Sequence, residues 1–288
     1  MQIPYYPAEI LQPCDLDIPA MPRNAYKRTR GSVAIIGGSG RFTGAVVLAA
    51  KAAFCSGAGL VTVFTEEKLI PVVTKAIPSA MATTYEDIPD LDRFDAVLIG
   101  PGMGKNHDDA LTKALSQAKR LVVDADGIRA FARQKLTGNG NCILTPHPGE
   151  FEALVNAFCP GKPDTPEADT PESFAALLED VHKKTDSVLV YKSDIVWIAA
   201  DGKLSVYDGG NPSLGVAGSG DVLAGITAAL AARLKDRDAC SIARNAVLLH
   251  QIAGRLAHED IGYYSSDTLV KYVGRALKAS ETAAGGKN

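Results

Sequence analysis

Short apolar runs alternate with helix-length segments through the first half of the chain. Val33–Ile36 leads into the turn GGSGRFTG, a helix is expected over Ala45–Ser56, and Gly57–Phe64 returns as a strand. Strand, glycine turn, helix, strand is the sequence form of a right-handed βαβ crossover. The pattern repeats. Asp95–Ile99 ends in GPGMG, a helix is expected over His107–Lys119, and Leu121–Val123 ends in DADG. A short helix follows at Ile128–Arg133, then Cys142–Leu144 ends in TPHPGE before a helix from Phe151. In a parallel sheet the carboxyl ends of such strands share one edge, so these four turns converge.

The second half has a different rhythm. After CPGKPDTPEADTP, a turn-rich acidic loop, a helix is expected over Glu172–Lys183. Ser187–Tyr191, Ile195–Ala199 and Leu204–Tyr207, with turns at Ser193-Asp194 and Asp201-Gly202, predict antiparallel hairpins. Helices over Val222–Arg233, Ala239–Ala257 and Ser266–Ala279 close the chain. The prolines and the Tyr5-Tyr6 pair make residues 1–30 an extended arm, read as packing on a neighbouring subunit. Residues 31–279 form a single α/β domain, and residues 280–288 a frayed tail.

Composition narrows the class. With 288 residues, 46% hydrophobic and 22% charged, the chain has the makeup of a globular protein with a large core. A net charge of -3 argues against a polyanion-binding surface, and no aromatics interleave the Lys27, Arg28, Arg30 cluster. Nucleic acid is therefore not an expected partner. Cys14, Cys55, Cys142, Cys159 and Cys240 are odd in number and widely spaced, which suits a reducing cytoplasm. Neither a signal-type apolar run in residues 1–30 nor a membrane-length apolar segment is seen, so no membrane association is expected.

The glycine turns carry the candidate chemistry. Gly38, Gly40 and Gly44 give GxGxxxG, one residue off the dinucleotide fingerprint, and no GK[ST] follows to make a Walker A loop. Gly215–Leu230, GVAGSGDVLAGITAAL, sets small residues before an apolar helix, an arrangement that favours phosphate. Asp221 is the odd member, because a carboxylate beside a phosphate is unfavourable unless it does chemistry or holds a metal. Alternatively it caps the helix.

Read together, AAKAAFCSGAGLVTVFT, GPGMG, DADG, LTPHPGEFEAL and NPSLGVAGSGDVLAGI resemble, in that order, the stand-alone ADP/ATP-dependent NAD(P)H-hydrate dehydratases of the ribokinase-like superfamily. The resemblance covers about Arg30–Ala279 and implies a mostly parallel sheet flanked by helices on both faces, with an antiparallel edge. It also implies a metabolite-repair reaction. ADP or ATP, with Mg²⁺, would phosphorylate the hydroxyl of the S-form of hydrated NADH or NADPH, and loss of phosphate would restore the nicotinamide.

Carried over by residue, Asp221 would be the base that takes the hydroxyl proton. Ala45, Gly102, Gly104 and His147 would contact the hydrated dinucleotide with it, Thr43 and Gly100 lying in the same two turns. Lys192, Ser193, Asp194, Ile195 and Val196 would hold the adenine nucleotide, and Ala217, Gly218, Ser219 and Gly220 its transferring phosphate. Glu150 has two readings, a water-mediated Mg²⁺ contact or a cap on the following helix. Asp124 and Asp126 are read as structural. The chain departs from the family at Gly215, Val216 and Ala217, where a threonine hydroxyl is lost, and at Ser193, which replaces a glycine. The N-terminal arm and the apolar helices suit a homo-oligomer, a tetramer among the options.

Two other readings compete. A ribokinase-like kinase of a vitamin alcohol (hydroxymethylpyrimidine, thiazole or pyridoxal type) would use the same Asp221 and anion hole, and only HPGE, GPGMG and the AAKAAFCSGAGLVTV segment separate it. A catalytically silent nucleotide-binding scaffold would have no need of Asp221.

Overall fold

The computed structural model describes residues 8–105, 107–161 and 170–285, the side chains of the last five aside. Its strands are β1 (Glu9–Ile10), β2 (Ser32–Ile36), β3 (Leu60–Thr65), β4 (Met81–Thr84), β5 (Ala96–Ile99), β6 (Leu121–Val123), β7 (Cys142–Leu144), β8 (Val188–Tyr191), β9 (Val196–Ala200) and β10 (Lys203–Tyr207). They form one sheet in the order β1-β10-β9-β8-β7-β6-β5-β2-β3-β4. Among the described residues β9 alone runs against its neighbours, so the expected antiparallel hairpins sit toward one end of an otherwise parallel sheet.

The helices are α1 (Thr43–Cys55), α2 (Ile70–Ala76), α3 (Asp108–Gln117), α4 (Asp126–Arg133), α5 (Pro148–Phe158), α6 (Pro171–Thr185), α7 (Ser219–Arg233), α8 (Ala239–Ile261) and α9 (Ser266–Gly285). Successive strand side chains point to opposite faces. Val33 and Ile35 therefore join the core under α1, α7, α8 and α9, while Ala34 and Ile36 join the core under α3, α4, α5 and α6. Burial on both faces explains why VAII and AVLI read as continuous apolar runs. α7 lies directly against α1, since a Cβ on Gly225 would stand 2.2 Å from the Ala49 carbonyl oxygen.

Several expectations are revised. Residues 9–10 of the arm add a parallel strand to β10 of the same chain, and Leu11 and Ile18 are buried in its core. This part of the arm closes the edge of its own sheet. α2 and β4 were not anticipated. Pro71 at the start of α2 masked the helix, although proline suits the first helical turn, and MATT has too little apolar character to read as a strand. The last helix continues to Gly285, into the segment read as a tail. Residues 162–169 of the acidic loop lie outside the described residues. Among those described, no helix is long and apolar enough to cross a membrane.

The chain runs β2, β3, β4 to one side and then returns to place β5 on the other side of β2. That reversal is a topological switch point, where open α/β sheets hold ligands beyond the carboxyl ends of the strands. Both glycine turns are there, joined by a hydrogen bond from Gly38 N to the Pro101 carbonyl, 2.8 Å.

Candidate active site

The strand registers bring the four turns level. Ile36 pairs with Ile99, Ile99 with Val123 and Val123 with Leu144, so Gly37, Gly100, Asp124 and Thr145 emerge side by side. Contact is close, because a Cβ on Gly100 would lie 1.8 Å from the Asp124 carbonyl oxygen. Lys192, leaving β8, is tied to the same edge by its backbone N–H to the Pro146 carbonyl, 2.8 Å.

Four charged groups meet where this edge faces the start of α7. Asp124, buried, accepts from Lys192 Nζ at 2.6 Å and from Thr145 Oγ1 at 2.7 Å with the same oxygen, Oδ1. Burial acts to lower the Lys192 pKa, but Asp124, Glu150 and Asp221 outweigh it and hold the ammonium charged. Its Nζ would lie 3.4 Å from a Cβ on Gly220, so the cation stands against the glycine turn.

Asp221 occupies the third position of α7, whose N-cap is Gly218 at φ +90°. A side chain there would meet Leu48 at 2.5 Å, which explains the glycine. No side chain caps this end, which leaves leading N–H donors to an anion. Among the described residues no hydrogen bond holds the Asp221 carboxylate. Burial, then Asp124, raise its pKa, Lys192 opposes them and Glu150 adds to the rise, bringing it to about 7. A poised carboxylate beside an anion hole suits proton abstraction at neutral pH.

His147 and Glu150 form a capping box on α5. His147 N–H donates to Glu150 Oε2 at 2.9 Å, and His147 Nδ1 accepts from Gly149 N–H at 3.0 Å. Since Nδ1 accepts, Nε2 carries the proton of the neutral ring and meets Glu150 Oε1 at 3.1 Å. Burial acts to raise the Glu150 pKa, but His147 and Lys192 bring it below the usual carboxylate range. The helix-cap reading of Glu150 describes these contacts.

A cavity of about 660 Å³ opens beside the four charges. Of the predicted residues it gathers His147, Lys192, Ser193, Asp194, Val196, Ser219 and Gly220. Ile195 instead packs into the core, Ala217 is exposed with its carbonyl held by Ser266 Oγ at 2.8 Å, and Gly218 backs onto Leu48. Ala45 and Gly102 form a separate cluster across α7. A Cβ on Gly102 would stand 3.0 Å from that of Ala45, while Gly104 N–H donates to Asp126 Oδ2 at 2.8 Å. Leu48, one turn beyond Ala45, touches Gly218 and links this cluster to the anion hole.

Sequence reading missed the far wall of the cavity, which includes Asn211 and, from α8, Val247, His250 and Gln251. His250 is buried and its pKa falls to about 4, chiefly through burial, with Lys192 adding. A lone polar pair inside the apolar run AVLLHQIAG was the available signal. Asp124, read as structural, is the partner of Lys192, a pairing that spacing alone does not reveal.

The chain is similar to known proteins in sequence and in fold. A family model described as NAD(P)H-hydrate dehydratase matches residues 33–275. An ADP-dependent (S)-NAD(P)H-hydrate dehydratase of Xanthomonas campestris is 35% identical over 253 residues, covering 82% of this chain and 83% of its own. A bifunctional NAD(P)H-hydrate repair enzyme of Coxiella burnetii is 34% identical over 253 residues, but the match spans 49% of that longer protein and 85% of this chain. Among solved structures, a ribokinase-like superfamily protein of Enterococcus faecalis superposes with a TM-score of 0.84 at 27% identity, over 94% of this chain and 96% of its own. With the family model covering most of its length, the chain belongs to the NAD(P)H-hydrate dehydratase family.

Proposed function

We propose that this protein is an ADP-dependent (S)-NAD(P)H-hydrate dehydratase that repairs hydrated NADH and NADPH. The observation that carries the reading is Asp221, raised to about 7 beside an uncapped helix end with Lys192 next to it. ADP would occupy the cavity between the β8–β9 turn and α8, with its terminal phosphate at Gly218–Gly220. The hydrated dinucleotide would approach from the switch point, along Ala45, Gly102 and Gly104, with His147 at the junction.

Atoms balance in two steps. The ring hydroxyl attacks the terminal phosphorus of ADP as Asp221 takes its proton, AMP leaves, and the hydrate becomes a phosphate ester. The C–O bond to phosphate then breaks and a neighbouring ring proton is lost, which regenerates the dihydronicotinamide. Lys192 and the N–H groups of Gly220 and Asp221 would offset the charge on the transferring group, the Ser219 N–H being held by the Val216 carbonyl at 3.1 Å.

Among the described residues no cluster of three or more His, Cys, Asp or Glu side chains forms a metal cage. Asp124 Oδ1 and both Glu150 oxygens are already engaged. This donor set fits a Mg²⁺ carried in on the nucleotide's phosphates and keeping most of its waters, with Glu150 reached through water. Such an ion would supply further neutralisation of phosphate charge.

Product analysis tests the reading. Mixing the protein with ADP, Mg²⁺ and the S-hydrate should release AMP and phosphate in equal amounts, only when the hydrate is present. Phosphate release without the hydrate, or a stable phosphorylated product when a vitamin alcohol is supplied in place of the hydrate, would move the assignment to a phosphatase or a kinase. Assembly as a homo-oligomer is part of the same proposal, supported by exposed Val72, Met81, Ile261 and Tyr263. A one-chain mass by light scattering would contradict it.

A further inference from the structure

His250 lies on α8, outside every residue segment that the sequence motifs mark, yet it lines the cavity and touches Ser219 at the start of α7. Its Nε2 stands 3.1 Å from Ser219 Oγ and 3.1 Å from the Ser219 carbonyl oxygen. A carbonyl oxygen only accepts hydrogen bonds, so the nitrogen facing it must carry the hydrogen. That settles the tautomer. An Nε2 that bears a hydrogen has no lone pair left to accept from the Ser219 hydroxyl, which can therefore only receive from His250. No other acceptor for this hydroxyl is found among the described residues.

We propose that His250 is a positioning residue that turns the Ser219 hydroxyl into a donor facing the cavity, where it would grip a phosphate oxygen next to Gly220. The hydroxyl and the Ser219 carbonyl share the one imidazole N–H in a three-centre bond, and the hydroxyl's own proton is left to point at the open side, toward the ligand. An oxygen that is accepting is also a stronger donor, because hydrogen bonds in a chain polarise one another. Burial keeps His250 uncharged in the working range of pH, so the ring orients without adding a second cation beside Lys192. The same loop is pinned twice more from α8 and α9, by His258 Nδ1 to Ser213 Oγ at 2.7 Å and by Ser266 Oγ to the Ala217 carbonyl at 2.8 Å. Only the His250 contact ends on a side chain that lines the cavity at the helix start.

The proposal rests on the reading of Gly218–Gly220 as a phosphate site, and the test separates the two. ADP and adenosine are titrated calorimetrically against wild type, His250→Gln, His250→Leu, Ser219→Ala and the His250→Leu, Ser219→Ala double variant. Glutamine keeps an N–H donor at the reach of Nε2, whereas leucine keeps bulk and removes it. Leucine should weaken ADP binding about tenfold and leave adenosine binding within twofold, with glutamine restoring most of the loss. The double variant should be no weaker than Ser219→Ala, since both changes remove one donor. Equal losses for ADP and adenosine, or additive losses in the double variant, would overturn the positioning role while leaving the phosphate site in place. Wild type that binds adenosine and ADP equally well would overturn the phosphate site, and this role with it.

Discussion

Lys192 Nζ and Asp124 Oδ1 lie 2.6 Å apart, 68 positions distant in sequence, and Asp124 is fixed in turn by the Thr145 hydroxyl on the same oxygen. The pair joins the end of β6 to the end of β8 and sets an ammonium group against Gly220. Losing one partner of such a pair leaves the other charge in a poorly solvated place. Asp124→Asn should therefore cost on the order of 2 to 4 kcal/mol of stability in urea denaturation. It should also weaken ADP binding, because Lys192 is no longer held at the phosphate site. A change below about 0.5 kcal/mol, the usual size for a surface position, would show that the pair has no such role.

The raised pKa of Asp221 gives a pH signature. Its folded value of about 7 exceeds the ordinary 3.8, so between those values the folded protein binds a proton that the unfolded chain has released. Stability must then fall as pH rises from about 4 to about 7 and stay lowered above. Asp221→Asn should remove that slope, so thermal melts of the variant and wild type converge near pH 4 and diverge toward pH 8, the variant melting higher. Parallel melting curves across this range would refute the raised pKa.

The same group shapes catalysis in the opposite sense. As base, Asp221 must be ionised, so kcat/KM for the hydrate should climb to a plateau above about pH 7. Asp221→Asn should lower the rate by about 10²- to 10⁴-fold, the usual worth of a general base, while ADP still binds. A variant with wild-type turnover would remove Asp221 from this role.

Gly218 tests the anion hole's shape. Its φ is +90°, which strains any side chain, and a methyl group added there would also stand 2.5 Å from Leu48 Cδ1 and push that side chain aside. Gly218→Ala should cost about 1 to 3 kcal/mol and weaken ADP more than adenosine. An alanine variant with unchanged stability and affinity would mean that the turn adjusts freely.

Much of the fold was legible because a parallel strand buried on both faces writes itself as an unbroken apolar run. VAII, AVLI and LVV are such runs, and the turns after them carry the site. What stayed hidden has physical causes. β1 is two residues long and gains its stability from β10 rather than from any pattern of its own. The Asp124–Lys192 pair depends on strand order, which local periodicity does not encode. His250 looked like an interruption in an apolar helix, and its purpose appears only when α8 is laid against the start of α7. Glu150 was readable in two ways from HPGE, and both of its oxygens turn out to serve His147.

The central claim is tested most directly by following reduced-nicotinamide absorbance after the protein is mixed with the S-form of hydrated NADH, Mg²⁺ and ADP. The account predicts full return of the absorbance, with one AMP formed for each nicotinamide restored, and none without nucleotide. No return with ADP or with ATP would contradict it.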